Sequence, residues 1–326
     1  PDYTRLPVLY LNDQDAGVLP LPQGSRITLR FYGETGALTL AEDVSGQGRE
    51  DQPPASAEAS APAFEVSRSG AVEIVGSGGR SWRVEVIPDQ PPKIAVTGQP
   101  QLAEDGVTTL AFAAQDDYGV AAGQVRVTLD LAAVERTHGL AADPDPREAL
   151  VLDLPLPITG SRQDFTEQLV EDFAQHPWAN LPVVFTFSAM DAAGQSTGAA
   201  GFGARLVTRR FFDPLAAAVA EQRRDLLWAR ANAVRVAQVL RTLSHRPAGL
   251  FRDYGDYLRL RTILRRLESH THAGSIGEMQ QAEIAAALWD LAIQLEEGDV
   301  GDALERMRRA QEQLSQAMRD GASDQE

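Results

Sequence analysis

The chain has 326 residues, a formal net charge of −16 and no cysteine; its 43% hydrophobic and 23% charged residues are those of an ordinary globular protein. The missing cysteines exclude disulfides, thiolate metal ligands and cysteine nucleophiles. The acidity argues against a nucleic-acid surface, because phosphates call for a basic one.

No apolar run nears the roughly 20 residues that span a bilayer; the longest stretches are residues 215–220 and 182–189. The chain opens at Pro1 without a basic-then-apolar leader, so we expect it to be excised from a longer protein. Lys93 is the single lysine among 30 basic residues, which we read as genome composition.

Residues 1–88 read as a β-sandwich-like domain. Polar and apolar residues alternate over 26–31, 71–75 and 82–86, as strands half-buried in a sheet require. Turn residues separate these strands, notably Gly76-Ser77-Gly78-Gly79. An insertion over 42–62, rich in Ser, Ala, Pro, Gln and Glu, is expected to be a mobile loop. Pro88-Asp89-Gln90-Pro91-Pro92 then forms a stiff, extended linker, because its prolines forbid helix.

Residues 89–210 fit an immunoglobulin-like β-sandwich, with strands expected at 107–113, 124–131, 149–154, 165–169 and 183–189 and edges at 94–97 and 203–208. Two strand ends echo each other: Asp116-Asp117-Tyr118-Gly119 and Asp191-Ala192-Ala193-Gly194. An Asp there can accept backbone N–H bonds while the Gly takes a positive φ. Residues 173–178 suggest a short helical turn over one end of the sandwich.

The period changes at Phe211-Phe212-Asp213-Pro214. Asp followed by Pro is a helix start, the carboxylate capping free N–H groups and the proline giving up a donor that has no partner. Residues 211–326 are expected to form a bundle of about four helices. The first carries Leu215, Val219, Gln222, Leu226, Ala229, Ala233, Val236, Leu240 and Leu243 on one heptad-like seam about 45 Å long. The second spans about 251–270. Ser275 and Glu278 have capping-box spacing and open the third, which Gly298 ends. Leu304, Met307, Leu314 and Met318 mark the fourth.

Charge is uneven along the chain. Residues 1–212 carry 15 basic and 28 acidic side chains, 213–274 carry 11 and 6, and 275–326 carry 4 and 12. A basic helical segment beside an acidic one suggests that the two pack together.

Catalytic signatures are hard to find. The Gly76–Gly79 cluster leads into a strand and lacks a following Gly-Lys-Ser/Thr, so it reads as a hairpin and not a phosphate loop. No Ser sits in a nucleophile elbow. His270 and His272, with Glu268 nearby, are two apart and face different sides of a helix; a helix C-terminus explains them better than a metal. His138, His176 and His245 stand alone. Asp116, Asp117 and Asp191 could gather and bind Ca²⁺, yet the Gly after each pair favours a turn-forming role. The arginines at 223, 224, 230, 235, 241, 252, 259, 261, 265 and 266 read mostly as a solvated helical surface, and Trp228 and Trp289 as packing residues. No catalytic, cofactor-binding or metal-binding residue is therefore assigned, and no cofactor is expected.

Several structural words form a recognisable set: Pro1-Asp2-Tyr3-Thr4 with Leu6-Pro7, the turn over 114–119, and His176-Pro177-Trp178. Asp213-Pro214-Leu215, residues 221–226, Leu288–Ile293 and Glu297-Gly298-Asp299 complete it. With these the chain resembles the extracytoplasmic part of a large alphaproteobacterial inner-membrane protein family of unknown function. The resemblance implies N-terminal transmembrane helices, a Gln/Gly-rich C-terminal tail and an envelope location in a Gram-negative bacterium. It carries over no functional residue.

The expectation is a non-enzymatic, membrane-anchored periplasmic scaffold or protein-interaction module. Its β domains act as a spacer and its helical part binds another envelope protein or a second copy of itself. A peptidoglycan-related hydrolase or metal-dependent enzyme using Asp116, Asp117 and Asp191 is the alternative, and an extracytoplasmic sensor a further one.

Overall fold

The computed structural model describes residues 1–31, 38–46, 49–52, 62–103, 106–272 and 276–323. Three apolar cores follow one another along the chain.

The first core lies between a five-stranded and a two-stranded sheet. Its strands are β1 (Val18–Pro22), β2 (Arg26–Thr28), β3 (Leu38–Glu42), β4 (Arg49–Gln52), β5 (Ala63–Glu65), β6 (Gly70–Gly76) and β7 (Ser81–Ile87). The larger sheet has the order β1-β7-β6-β3-β4 and the smaller pairs β2 with β5. β1 runs parallel to β7, with Leu19 opposite Val84 and Leu21 opposite Val86. Alternation sends Leu19, Leu21, Trp82 and Val84 inward. The Gly-rich turn joins β6 to β7 as a hairpin; a Cβ on Gly79 would run into the carbonyl of Ile74.

β4 lies inside the stretch expected to be a mobile loop and pairs with β3. Composition misleads there because an edge strand needs a partner's backbone more than apolar side chains of its own. Residues 47–48 and 53–61 of that stretch lie outside the described residues.

The second core lies between two further sheets. These use β8 (Lys93–Val96), β9 (Gln101–Leu102), β10 (Thr108–Gln115), β11 (Val120–Leu129), β12 (Leu150–Asp153), β13 (Asp164–Glu171), β14 (Pro182–Asp191), β15 (Ser196–Gly198) and β16 (Phe202–Arg205). One sheet has the order β13-β10-β8, with β9 on β10; the other is β12-β11-β14-β15, with β16 also on β14. Two antiparallel sheets enclosing Leu110, Phe112, Val125, Val127, Phe185 and Phe187 make an immunoglobulin-like sandwich. Each buried side chain of this size contributes about 1.5–3 kcal/mol. The segment 173–178 forms tight turns in place of a helical one; its Phe173 and Trp178 close this core.

The chain then becomes helical: α1 (Pro214–Trp228), α2 (Ala233–Leu243), α3 (Tyr254–His272) and α4 (Glu278–Ser323). Leu226, Val236, Leu240, Leu260, Leu264, Leu267, Ile284 and Leu288 share the third core. Asp213 caps α1 as its sequence requires, Oδ1 accepting from the N–H groups of Leu215 (2.8 Å) and Ala216 (2.9 Å). Among the described residues no helix is long and apolar enough to cross a membrane.

Two helix expectations fail. The single helix over 215–243 is broken at Ala229, which is extended (φ −152°, ψ 132°) and followed by a 3-10 turn over Arg230–Asn232. Conversely, Gly298 does not end a helix, and the expected third and fourth helices are one, α4. A lone Gly costs a helix only about 1 kcal/mol relative to Ala, and here Glu296 and Glu297 just before it hold the helix to the α1 entry. The Glu296 carboxylate accepts from the N–H of Asp213 at 2.8 Å, and Glu297 pairs with Arg209 at 3.3 Å. Ser275, the expected cap, lies outside the described residues.

The break has tertiary causes. The last four carbonyls of a helix have no partner within it, and those of α1 are all taken by other parts of the chain. Asn232 Nδ2 donates to Asp225 O (2.8 Å), Gln281 Nε2 to Leu226 O (2.7 Å), Arg147 Nη2 to Leu227 O (3.1 Å) and the Asp145 N–H to Trp228 O (2.8 Å). Trp228 and Ala229 leave the helical core for that of the second sandwich, where the indole N–H donates to Ala142 O at 2.7 Å.

Removing the α1 cap with Asp213→Ala should destabilise the helical part by about 1 kcal/mol, read as a lower urea midpoint of the far-ultraviolet helix signal. Gly139 abuts the buried Asp225 carboxylate, into which any Cβ would project. Gly139→Ala should therefore cost more, about 1–3 kcal/mol, in the same measurement.

Candidate functional site

Two places bring together side chains that sequence alone leaves apart. One is the seam between the second sandwich and the helices. Asp225 on α1 is 0% exposed and pairs with Arg224 and Arg235, each at 2.8 Å. Arg223, expected among solvated arginines, is buried. Its Nη2 donates to Gln175 O (2.7 Å), its Nε to Ala285 O (3.2 Å), and its guanidinium lies 5.1 Å from the Trp289 ring centre. Burial pulls the group down to about 10, so it keeps its charge at neutral pH. Arg224 and Arg235 also depart from the solvated reading, because both are anchored to Asp225.

His176 sits behind this seam, its Nδ1 accepting the Trp178 N–H at 3.1 Å. That bond places the proton on Nε2 when the ring is neutral. Burial first, then Arg147 and Arg223, lower its pKa from 6.5 to about 4. This arrangement anchors the helices to the second sandwich, Arg223 reaching Gln175 O and Arg147 reaching Leu227 O.

The second place is the junction of the two sandwiches. Asp116 and Asp117 follow β10, and Asp191 ends β14. The structure gathers them at one end of the second sandwich, where Asp116 and Asp191 each serve a turn. Asp116 Oδ2 accepts from the N–H groups of Gly119 (2.6 Å) and Tyr118 (3.1 Å), and Asp191 Oδ1 from that of Gln195 (2.8 Å). Gly119 (φ 111°) and Gly194 (φ 89°) take the positive φ these turns need.

A fourth carboxylate, Asp89 of the proline-rich linker, joins them; sequence reading gave it no such role. Gln195 bridges the two sides, its side chain donating to Asp89 Oδ2 at 2.8 Å while its backbone donates to Asp191. Asp117 Oδ2 accepts from the Gln90 N–H at 3.3 Å. Tyr3, from the first residues of the chain, stacks edge-on against Tyr118 (5.5 Å) and donates to Gln23 O (2.6 Å). Burial raises Asp89 and Asp116 above the usual carboxylate range, and their aspartate neighbours raise them further. Burial and the same aspartates push Tyr3 up to about 12.

The histidine pair does not form a site. His272 Nδ1 lies 2.6 Å from Glu268 O on its own helix, and Glu268 pairs with Arg241 at 2.5 Å. Among the described residues no three His, Asp or Glu side chains are grouped so that they could hold a metal ion.

His176 is neutral in the folded chain down to about pH 4, against 6.5 when unfolded. Its contribution to stability is therefore full above pH 6.5 and is lost as pH falls through 4. His176→Gln should flatten the stability loss between those values, measured as the difference in unfolding midpoint between variant and wild type at each pH.

Comparison with known proteins adds a family and little else. No curated protein matches the chain. Among solved structures, Astrotactin-2, a vertebrate-specific perforin-like membrane protein, matches at 15% identity over 64% of this chain and 37% of its own, with a TM-score of 0.27. The FN1–FN3 domains of chicken CNTN1 match at 14% over 58% and 65% (TM-score 0.22). The fibronectin(III)-like modules of Clostridium thermocellum CbhA match at 11% over 61% and 92% (TM-score 0.23). The chain thus spans little more than a third of Astrotactin-2, and at these scores no argument rests on the likenesses. The profile of one family, however, covers residues 1–326, and the chain belongs to it: DUF4175, a domain family of unknown function.

Proposed function

We propose that the chain is a non-enzymatic scaffold or protein-interaction module of a membrane-anchored envelope protein, working on the periplasmic side of the inner membrane. Residues 1–88 and 89–210 are the spacer, two immunoglobulin-like sandwiches in series, and residues 211–326 are the helical bundle that binds the partner.

One observation carries this reading. Among the described side chains the shared helical core reaches Leu295, and α4 continues to Ser323, a further stretch of about 40 Å at 1.5 Å per residue. Helices gain most of their stability from packing an apolar face on something else. The distal half of α4 keeps such a pattern in its sequence, with Leu304, Met307, Leu314 and Met318 at heptad-like spacing, and Met307 is 61% exposed. The partner is another envelope protein or the same segment of a second copy. The anchored seam between α1 and the second sandwich supports the division of labour, since it passes displacement of one body to the other.

Immobilised chain should retain a saturable partner from envelope extract, or sediment as a concentration-dependent oligomer. The double substitution Leu304→Glu and Leu314→Glu should abolish that association with helix content unchanged. A monomer at every concentration, with nothing retained saturably, would remove the basis of the reading.

A further inference from the structure

We propose that residues 5–10, Arg5-Leu6-Pro7-Val8-Leu9-Tyr10, form a dimerisation strand that pairs antiparallel with the same segment of a second copy. All six are exposed, and four are large and apolar: Leu6 59%, Val8 80%, Leu9 44% and Tyr10 68%. Single exposed apolar residues are normal on a protein surface, whereas a consecutive run of them marks a contact surface. The segment lies between 3-10 turns over Asp2–Thr4 and Leu11–Asp13 and, among the described residues, belongs to no sheet. Arg5 is left-handed (φ 53°) and turns the chain into it; Tyr10 at its far end is extended (φ −95°, ψ 119°). Pro7 fixes its own φ near −65° and holds Leu6 in the extended region. Six residues at about 3.3 Å each give about 20 Å, the usual length of a strand.

The backbone identifies the occupant. Along a strand the N–H and C=O groups of alternate residues face the same edge. Leu6, Val8 and Tyr10 therefore share one edge, and Arg5, Pro7 and Leu9 the other. Pro7 has no N–H and closes the second edge to pairing. On the first edge two groups are taken: the Leu6 N–H donates to Thr4 Oγ1 (3.3 Å), and Tyr10 O accepts from the Asp13 N–H (3.1 Å). Among the described residues nothing bonds to Leu6 O, to the Val8 N–H, to Val8 O or to the Tyr10 N–H. Those four groups are self-complementary. About a two-fold axis at Val8, each Val8 N–H donates to the Val8 O of the other copy, and each Tyr10 N–H to its Leu6 O. The groups this ladder leaves over, the Leu6 N–H and Tyr10 O, are the two that the chain has already engaged.

A two-fold contact of this kind closes at two copies, and Pro7 bars a third strand from adding to the outer edge. The pairing sets Leu6 opposite Tyr10 and Val8 opposite Val8 on one face, aliphatic and aromatic pairs that favour a ladder. No charged side chain lies between Leu6 and Tyr10, so none is buried. A bilayer fits less well, because its core offers no partner to the open backbone groups. Each copy carries −16, so the copies repel and salt should strengthen the pair by screening them. This strand is separate from the α4 surface and does not rest on that reading.

The test uses the 326-residue chain carrying Leu304→Glu and Leu314→Glu, so that α4 adds no association and the two readings fail separately. Sedimentation equilibrium should show monomer and dimer with no larger species, the dimer being tighter at about 0.5 M salt than at about 0.05 M. Val8→Pro should weaken the dimer at least about tenfold, since a symmetric pair loses two central hydrogen bonds at once. Val8→Ile keeps the N–H and the branched apolar shape and should keep the dimer. Both changes sit in exposed chain and should leave the urea midpoint unchanged. Val8→Cys puts the protein's only thiol beside the two-fold axis, where paired residues stand about 5.5 Å apart at Cα. A short bismaleimide should link that variant into a covalent dimer, and should fail with Thr262→Cys on the exposed side of α3. A monomer up to about 1 mM, or a dimer indifferent to Val8→Pro, would overturn the proposal. So would a monomer that sediments with phosphatidylglycerol vesicles and loses them on Val8→Asp, which would assign the strip to a bilayer.

Discussion

The structure depends on how the end of α1 is satisfied. A helix that stops inside a protein exposes four carbonyls, and burying them without donors would cost several kcal/mol. Here the donors come from the 3-10 turn before α2, from α4, and from the loop between β11 and β12. That loop belongs to the second sandwich, so the helix can end only if the sandwich is in place. The tryptophan at the helix end inserts into the sandwich core, and the buried Asp225 one turn earlier gathers two arginines. Sandwich and helices are therefore interdependent parts of one folded unit.

That interdependence explains which features were legible in the sequence. The strand segments and the Asp213–Pro214 helix start are local: alternation and one capping carboxylate suffice, and the structure has them within a few residues of the expected positions. The break at Ala229 is not local. Ala229 and its neighbours carry good helix formers on a regular seam, and nothing in that window encodes an extended residue. The deciding groups lie up to 86 positions away, at Ala142, Asp145, Arg147 and Gln281. Gly298 errs in the other direction, since a residue that often stops helices is carried through by contacts its own segment makes with Arg209 and the α1 entry.

The acidic junction shows the same division. The turn roles of Asp116 and Asp191 follow from the glycines a few residues on, and both are as expected. The presence of Asp89 beside them depends on a proline-rich segment folding back over the sandwich end and on Gln195 reaching across. A sequence shows an aspartate in a linker, but not the neighbours that linker will meet. The arginines make a parallel case: ten look alike on helical wheels, and only packing separates the buried Arg223 from those left in solvent.

The first sandwich carries a consequence for mechanics. Because β1 runs parallel to β7, the chain enters this sheet at Gly17 and leaves after Ile87 at the opposite end. A pull between those two points acts along both strands at once. It loads the five registered pairs, Val18–Arg83 through Pro22–Ile87, together in shear and cannot peel them apart one by one. An antiparallel pairing of the same strands would unzip from one end under the same load. Under such a pull the chain would be held, at this point, by its whole row of hydrogen bonds acting together.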